Sequence, residues 1–258
     1  MDDGPDEDAL QSNLAKLYEC HDDQNSNDTS PLPKAFDWRT KNVANSSVKN
    51  QHRCLSCYAF ATVAVLKSVY AIKTNSKNVI EFRPQQIVDC ARDENEDCTG
   101  GDLFQSSMKY LIEKGGKIAT DASYYYVGKD QSCRTEGINE IDLGTVEYVD
   151  IPVGDEKQMA EVLINNGSIF IGLDADSELF TFYESSVLTI DDCSNHRYDM
   201  EHAMVVVGYG YDEGLKPPYW IIKNLYEPSW GGNGYLRLIK DDNNICSIAT
   251  IESYAKLT

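Results

Sequence analysis

Residues 57–73 read CYAFATVAVLKSVYAIK and predict the central helix of the fold. Apolar side chains would occur on nearly every face of this helix, which is typical of a helix buried on all sides. Two shorter helices are predicted after it, one over residues 83–90 that opens at Pro84 and one over residues 104–113 that ends at Gly115-Gly116.

The second half of the chain changes to short runs of β-branched and aromatic residues, bounded by Gly, Pro and Asn. Such runs predict strands, over residues 168–173, 202–208, 218–223 and 234–239. A helical first half followed by a sheet-rich second half predicts an α+β protein of two subdomains.

Composition excludes several classes of protein. Against 42 acidic residues there are 23 basic ones, so the formal charge is −19, and a non-specific nucleic-acid binder is excluded because phosphates would be repelled. The 41% hydrophobic content supports a core and argues against disorder of the whole chain. No run approaches the roughly 20 apolar residues of a membrane span. Because residues 1–8 are acidic and unlike a signal peptide, we expect a soluble protein from which any export signal has been left out.

The first thirty residues contain nine acids and one base, so this segment carries −8 of the total charge. It is predicted to be a mostly solvated extension, with at best one short helix around residues 10–18. Pro31-Leu32-Pro33 would stop any helix there. We therefore expect an extension over residues 1–31 and a folded domain over residues 32–258.

Eight cysteines spread along the chain suit a secreted or vesicular protein with a few long-range disulfides. Cys54 and Cys57 form a Cys-x-x-Cys pair, which taken alone could be a redox pair or half of a zinc site. The zinc interpretation is poor because the second pair of ligands is absent. Three glycosylation sequons, at Asn27, Asn45 and Asn166, also fit a secretory route.

Cys57 would lie at the start of the buried helix, among unpaired backbone N–H groups at the positive end of the helix dipole. Both effects stabilise a thiolate, the nucleophilic form of cysteine. Such a nucleophile needs a base. Of the four histidines, at positions 21, 52, 196 and 202, only His202 leads directly into an apolar strand that would hold its ring. The alternative for His202 is an ordinary core or turn residue.

Residues 51–60 read QHRCLSCYAF and closely resemble the nucleophile segment of the papain and cathepsin family of cysteine proteases, of the cathepsin L type. His202 follows Cys57 by 145 residues, and Asn224 follows His202 by 22, in agreement with that family. The resemblance covers about residues 32–256 and includes further matches, which are DWR at 37–39, CTGG at 98–101, EHA at 201–203 and WGGNGY at 230–235.

The resemblance implies a papain-like α+β fold with a helical left subdomain, about 41–148, and a β-barrel-like right subdomain, about 149–250 plus the N-terminal strand. The active-site cleft would run between them, with Cys57 on one wall and His202 on the other. The implied activity is that of a cysteine endopeptidase with a covalent acyl-enzyme intermediate, and residues 1–31 would be a propeptide remnant of the zymogen.

Four catalytic roles are implied by the resemblance. Cys57 would be the nucleophile, His202 its proton partner in a thiolate-imidazolium pair, and Asn224 the residue that orients the imidazole. Gln51, with the Cys57 backbone N–H, would form the oxyanion hole, where an uncharged donor stabilises negative charge without adding a titrating group. The alternative for Gln51 and Asn224 is that they are ordinary surface amides.

Substrate contacts are implied in the same way. Gly100 and Gly101 would let the substrate backbone approach closely as an added strand. The pocket for the second side chain before the cut would be apolar and would prefer an aliphatic or aromatic residue, with Asp102 at its rim adding some preference for a basic one. Its lining would consist of Leu103, Gly172, Met200, Ala203 and Ile251.

The family pattern also implies the disulfides Cys54–Cys98, Cys90–Cys133 and Cys193–Cys246, which leave Cys57 free. Cys20 is then the odd cysteine, either free, paired with another molecule, or able to cap Cys57. No cofactor and no metal are expected. The expected partners are peptide or protein substrates and cystatin-like inhibitors, and we expect a monomer in a secreted or lysosomal and vesicular location.

The chain departs from the family pattern around the site. Leu55 replaces a glycine beside the nucleophile, Tyr58 replaces a tryptophan, and His52-Arg53 replaces a glycine-led pair. Leu225-Tyr226 replaces the usual serine and tryptophan, so a phenol would shield the His202–Asn224 hydrogen bond. These changes leave open a catalytically attenuated homologue that binds peptides or inhibitors without efficient turnover. A short segment, residues 123–134, resembles digestive proteases of mites and suggests an arthropod source.

Overall fold

The computed structural model describes residues 31–44, 48–76, 80–92, 98–101, 104–120, 123–189, 193–211, 214 and 217–258. Within these ranges, no helix is long and apolar enough to cross a membrane. Residues Pro33–Thr258 form one compact unit. Several sequence-based expectations lie outside the described residues, namely the helix around 10–18, Cys20, the sequons at Asn27 and Asn45, Asp102 and Leu103.

The first long helix, α1 (Cys57–Thr74), confirms the buried helix predicted over residues 57–73. Thirteen of its 18 residues are buried, because α1 packs against α2 (Pro84–Cys90) and α3 (Phe104–Glu113) on one side and against the sheet on the other. Both shorter helices begin and end within one residue of their predicted bounds, with Pro84 in the first turn of α2. Apolar side chains on opposite faces of α1 therefore pack against other elements of the fold.

A seven-stranded antiparallel sheet forms the second half of the fold. Its central strand is β6 (His202–Gly210), which is buried at all nine positions. β6 pairs with β5 (Ile169–Leu173), with β7 (Tyr219–Lys223) and with the short β1 (Phe36–Asp37). Beyond β7 lies β8 (Tyr235–Ile239), which pairs only with β7 among the named strands. The four strands predicted from sequence are confirmed, with ends that differ by at most two residues.

The sheet contains two strands that the sequence patterns did not indicate, β4 (Val146–Asp150) and β9 (Glu252–Leu257). They extend it beyond β5, so that the strand order is β4-β9-β5-β6-β7-β8. The elements outside this sheet are a small pair, β2 (Lys117–Ala119) with β3 (Glu140–Asp142), the helices α4 (Glu156–Asn166) and α5 (Glu178–Thr181), and 3₁₀ turns at Trp38–Lys41, Arg197–Asp199 and Ile245–Ser247.

Side-chain contacts tie the elements together. The Trp38 indole donates to the Leu163 carbonyl at the end of α4 over 2.7 Å, and the Trp220 indole donates to the Glu156 carboxylate over 2.8 Å. Three disulfides add covalent links, and their pairs match those implied by the resemblance: Cys54–Cys98, Cys90–Cys133 and Cys193–Cys246. Because Cys54 is bonded to Cys98, it cannot form a redox pair with Cys57, which is the free cysteine of the described part of the chain.

Candidate active site

Cys57 is the first residue of α1 and is buried, with 9% of its surface exposed. Burial raises the pKa of its thiol, although the backbone N–H groups of Ala203, Tyr58 and Cys57 itself act in the opposite direction. The sequence argument, which considered only the helix start, predicted a stabilised thiolate. The fold adds burial to that argument, and burial opposes the thiolate that these donors favour.

His202 begins β6 and is buried, and its Nε2 lies 2.8 Å from Asn224 Oδ1. The same Oδ1 accepts the Leu225 backbone N–H over 2.7 Å, which fixes the orientation of the amide. Since an amide oxygen can only accept, the imidazole proton is on Nε2, and Nδ1 of the neutral ring is left as a proton acceptor. Burial lowers the pKa of His202 to about 4, against the opposing effect of Asn224.

An aromatic cluster covers the imidazole. The Tyr226 ring stacks on His202 with centroids 4.9 Å apart and planes at 26°, so the phenol does take the shielding position expected of it. Phe180 meets His202 edge-on at 6.2 Å, and Trp230 packs on Phe180 at 5.1 Å. Burial and the charges of Cys57 and Glu201 raise the pKa of Tyr226 to about 12, so the phenol stays neutral.

Gln51 is held through its backbone. Its N–H donates to the Leu225 carbonyl over 3.2 Å, and its carbonyl accepts the Tyr126 hydroxyl over 2.6 Å. The Tyr126 oxygen also lies 2.8 Å from Ser56 Oγ, directly before Cys57. Sequence reasoning missed this role of Tyr126 and the contact from Phe180, since both residues are distant in sequence from the motifs that they touch.

Cys57 and His202 both line one cleft, which has a volume of about 520 Å³. Leu55, exposed over 53% of its surface, also lines it, as the replacement of a glycine implies. Asn224 is fully buried behind His202, and Leu103 lies outside the described residues. The other predicted catalytic and substrate-binding residues all line the cleft: Gln51, Cys57, Gly100, Gly101, Gly172, Met200, His202, Ala203 and Ile251.

Two glycines of the cleft lie close to other side chains, and one of them is required by packing. A Cβ at Gly101 would lie 2.2 Å from the Tyr58 ring, so no larger residue fits there. A Cβ at Gly172 would come within 3.2 Å of Met200 Sδ and 3.7 Å of Ile251 Cβ. Gly172 therefore leaves room for an apolar pocket beside Met200 and Ile251. Among the described residues, no three His, Cys, Asp or Glu side chains form a group that could hold a metal ion.

Comparison with known families gives one match over most of the chain. The model described as "Papain family cysteine protease" matches residues 32–256. Human cathepsin L2 is 37% identical over 226 residues, which are 86% of this chain and 65% of that protein. Vignain from Vigna mungo is 34% identical over 227 residues, which are 86% of this chain and 59% of that protein. The chain thus spans about three fifths of the length of these relatives.

Solved structures agree. Bromelain from Ananas comosus, in complex with the E64 inhibitor, is 31% identical with a TM-score of 0.78, and the match covers 88% of this chain and 100% of that one. The proform of the ragweed pollen cysteine protease Amb a 11 is 32% identical with a TM-score of 0.79, over 90% of this chain and 67% of that one. These matches confirm the predicted papain-like α+β fold and the cathepsin L-type resemblance, whereas the arthropod source stays a prediction.

Proposed function

The chain belongs to the papain family of cysteine proteases, and on this premise we propose that it is an endopeptidase that acts through Cys57 and His202. The observation that carries the proposal is the 2.8 Å hydrogen bond from His202 Nε2 to Asn224, which leaves Nδ1 as the acceptor in a cleft shared with Cys57. A thiol and a basic nitrogen in one cleft, with the ring held from behind, suit acyl transfer.

In the proposed mechanism, the Cys57 proton moves to His202 Nδ1 and the thiolate attacks the peptide carbonyl. The oxyanion of the tetrahedral intermediate accepts hydrogen bonds from the Gln51 side-chain amide and the Cys57 backbone N–H. His202 then protonates the leaving amine, which breaks the C–N bond and leaves a thioester on Cys57. Water, deprotonated by His202, hydrolyses the thioester and restores the thiol.

Burial opposes a charge on either partner taken alone, so the two charges are proposed to form together. One proton moves within the pair and the net charge does not change. The backbone donors of Ala203 and Tyr58 favour the thiolate, and Asn224 favours the imidazolium. The attraction between the two opposite charges adds to these interactions.

The proposed substrates are peptides and proteins with an aliphatic or aromatic residue in the pocket of Gly172, Met200, Ala203 and Ile251. Leu103 would complete this pocket, and Gly100 and Gly101 would bind the substrate backbone. Cystatin-like proteins are the proposed inhibitors, and a monomer in a secreted or lysosomal compartment is the proposed state. Residues 1–31 would be what remains of a propeptide.

Labelling with an epoxide peptide tests the proposal. Under reducing conditions, one equivalent should attach to Cys57, as located by peptide mapping, and hydrolysis of a fluorogenic peptide with leucine in the second position should stop in proportion. A Cys57→Ser variant is the matched control and should take up no label. If the protein neither reacts with the epoxide nor cleaves any peptide substrate, the proposal is wrong.

A further inference from the structure

The two proposed oxyanion donors lie at opposite ends of one short segment, residues 51–57, which we call the oxyanion segment. Gln51 opens the segment and would donate from its side-chain amide. Cys57 closes it and would donate from its backbone N–H. Both donors must point at the same oxygen atom, so the distance between the two ends of the segment decides whether they can act together.

The backbone of the oxyanion segment does not fix its own shape. His52 has a φ of 56°, in the left-handed region that residues other than glycine rarely occupy. The papain family pattern begins with glycine at this point, whereas this chain has His52-Arg53. A strained conformation of this kind persists only where surrounding contacts hold it. The segment therefore depends on contacts from elsewhere in the fold.

Three links anchor the segment at separate points. At its first end, the Gln51 N–H donates to the Leu225 carbonyl over 3.2 Å. In its middle, Cys54 is bonded to Cys98, and the Leu55 N–H donates to the Cys98 carbonyl over 3.1 Å. None of these three links joins the two ends of the segment to each other.

The Tyr126 hydroxyl does join the two ends. It donates to the Gln51 carbonyl over 2.6 Å, and its oxygen lies 2.8 Å from Ser56 Oγ. A phenol has one hydroxyl proton and a carbonyl oxygen can only accept, so the Tyr126 proton lies towards Gln51 and Ser56 Oγ donates to the Tyr126 oxygen. One oxygen atom thus bridges the residue that carries the first donor and the residue directly before Cys57.

The surroundings keep this bridge in place. Ser56 is fully buried, and the Tyr126 ring meets Phe60 edge-on with centroids 4.6 Å apart. The same ring lies nearly parallel to that of His52, at 6.3 Å and 16°. Burial raises the pKa of Tyr126 and the charge of Cys57 acts in the same direction, so the hydroxyl keeps the proton that it donates.

The Gln51 side chain depends on its backbone for its position. Gln51 is 6% exposed, and its Oε1 has no hydrogen-bond partner among the described residues. Since no hydrogen bond to this oxygen fixes the amide, the place of Nε2 follows the place of the Gln51 backbone. A shift of that backbone would move the donor away from the oxyanion.

We propose that Tyr126 is a positioning residue for the oxyanion hole, in that its hydroxyl sets the distance between the Gln51 amide and the Cys57 N–H. The proposal rests on the proposed function of the cleft. Tyr126 acts through Gln51 and Ser56 rather than on the substrate. Its effect is therefore confined to steps in which negative charge develops on the carbonyl oxygen.

The test is Tyr126→Phe, which removes the hydroxyl and keeps the ring that packs on Phe60. For a fluorogenic peptide, kcat/KM should fall about tenfold, because a displaced donor stabilises the tetrahedral intermediate less. The inhibition constant of a peptide aldehyde should rise about tenfold, because its adduct with Cys57 is also tetrahedral. Alkylation of Cys57 by iodoacetamide should change less than about twofold, because displacement of iodide from a saturated carbon forms no oxyanion.

Two further variants sharpen the test. Tyr125→Phe is the matched control and should leave all three measurements unchanged, since Tyr125 is 67% exposed and its ring lies beside the Arg83 guanidinium group. Ser56→Ala cuts the same bridge at its other end. Combining it with Tyr126→Phe should therefore lower kcat/KM no further than Tyr126→Phe does alone.

The outcomes separate this proposal from the function on which it rests. Failure of the proposed function would appear in the unsubstituted chain, as no hydrolysis and no alkylation of Cys57, and would end both proposals. The role of Tyr126 is wrong if the unsubstituted chain hydrolyses peptide and Tyr126→Phe keeps the same kcat/KM. It is equally wrong if hydrolysis and alkylation fall in the same proportion, which would indicate a general loss of structure. Additive losses in the double variant would show that Tyr126 and Ser56 do not form one bridge.

Discussion

The cleft and a second cavity each contain a buried base next to the end of β7, but they surround it differently. We call the second one the rear cavity, and its lining includes Lys49, Lys67, Glu81 and Lys223. His202 is paired with the neutral amide of Asn224 and covered by the neutral rings of Tyr226 and Phe180. Lys223 lies among Lys67, Lys49 and Glu81, which all carry charge. Burial lowers the pKa of both, to about 4 for His202 and about 7 for Lys223.

The difference explains what the cleft is suited to. In the cleft, neutral neighbours hold the imidazole without fixing its charge, so the ring can take a proton from Cys57, and its low pKa favours release of that proton to the leaving group. Around Lys223, charged side chains act on the amine directly, and repulsion from Lys67 and Lys49 adds to burial in lowering its pKa in spite of Glu81. Burial alone therefore does not indicate catalysis. The charge of the neighbours distinguishes the two regions.

The largest expected contrast between the regions comes from Cys57→Ala set against Lys49→Gln. Loss of the proposed nucleophile should lower kcat/KM for peptide hydrolysis by on the order of 10⁴-fold, since the thioester can no longer form. Loss of a charge in the rear cavity should change it by no more than about twofold. Circular dichroism should show that both variants fold. Persistent turnover by Cys57→Ala would remove Cys57 from its proposed role.

The pH dependence of folding stability should distinguish His202 from Lys223, because the two bases affect stability over different ranges of pH. The native pKa of His202 is about 4, against 6.5 when unfolded, so between these values the unfolded chain binds more protons and stability falls as pH falls. The loss over this window is about 3 kcal/mol. For Lys223 the same sign applies between about 7 and 10.5, so its contribution to stability rises with pH there.

Urea unfolding of His202→Gln and Lys223→Met across the pH range measures these windows. The difference in free energy of unfolding between variant and unsubstituted chain should change with pH below pH 6.5 for His202→Gln and above pH 7 for Lys223→Met. Burial raises the pKa of Glu252 to about 8, so Glu252 lowers the stability of the fold as pH rises from 4.5. This effect is opposite in sign to those of His202 and Lys223, and comparing each variant with the unsubstituted chain cancels it. Parallel pH curves for both variants and the unsubstituted chain would contradict the assignments.

Asn224→Ala should have the next largest effect. It removes the acceptor that holds His202 Nε2, a buried hydrogen bond whose loss corresponds to about 10–100-fold in kcat. The imidazole itself remains, so the loss should be smaller than for Cys57→Ala. We expect the pH profile of kcat/KM to be bell-shaped. Its acid limb should shift downward in this variant, because Asn224 favours the protonated ring. Equal losses from the two variants would count against a positioning role for Asn224.

Much of this fold could be predicted because its sequence patterns are local. The apolar run of α1 and the bounded runs of β5 to β8 gave the elements to within two residues. β4 was missed because its burial does not alternate, and β9 because it opens with the buried acid Glu252. The start of α4 could have been predicted from its N-terminal cap, because the Asp155 side chain accepts the Gln158 N–H over 2.8 Å.

The candidate site residues were implied by the family resemblance, and the structure places those that it describes in the cleft or, for Asn224, directly behind it. Two features were not accessible from sequence. Tyr126 reaches Gln51 across 75 residues, and no local pattern marks such a contact. The direction of the Cys57 pKa depends on how much solvent the fold removes, whereas the sequence showed only the helix start.

Leu55→Gly tests the shape of the cleft and should have a modest effect. The Leu55 side chain is exposed and lines the cleft next to Cys57, so its removal should widen access and raise kcat/KM for bulky peptides a few-fold. The added backbone freedom of glycine should cost about 0.5–1 kcal/mol of stability. Leu55→Ala is the control that separates the two effects. No change in the ratio of kcat/KM between bulky and small peptides would show that Leu55 does not restrict the cleft.

The smallest expected effect concerns the electrostatic preference of the cleft. The cleft is lined by Glu201 and Asp176 on a chain of net charge −19, so basic peptides should be attracted to it at low salt. Because the Debye length falls to about 10 Å at 0.1 M salt, added sodium chloride should lower kcat/KM for a lysine-containing peptide more than for its norleucine counterpart, about twofold. Lys49→Gln, whose changed charge lies in the rear cavity, should show the same salt response as the unsubstituted chain. Should both peptides respond equally, the cleft does not steer cations; should Lys49→Gln alone lose the difference, the two regions are electrostatically one.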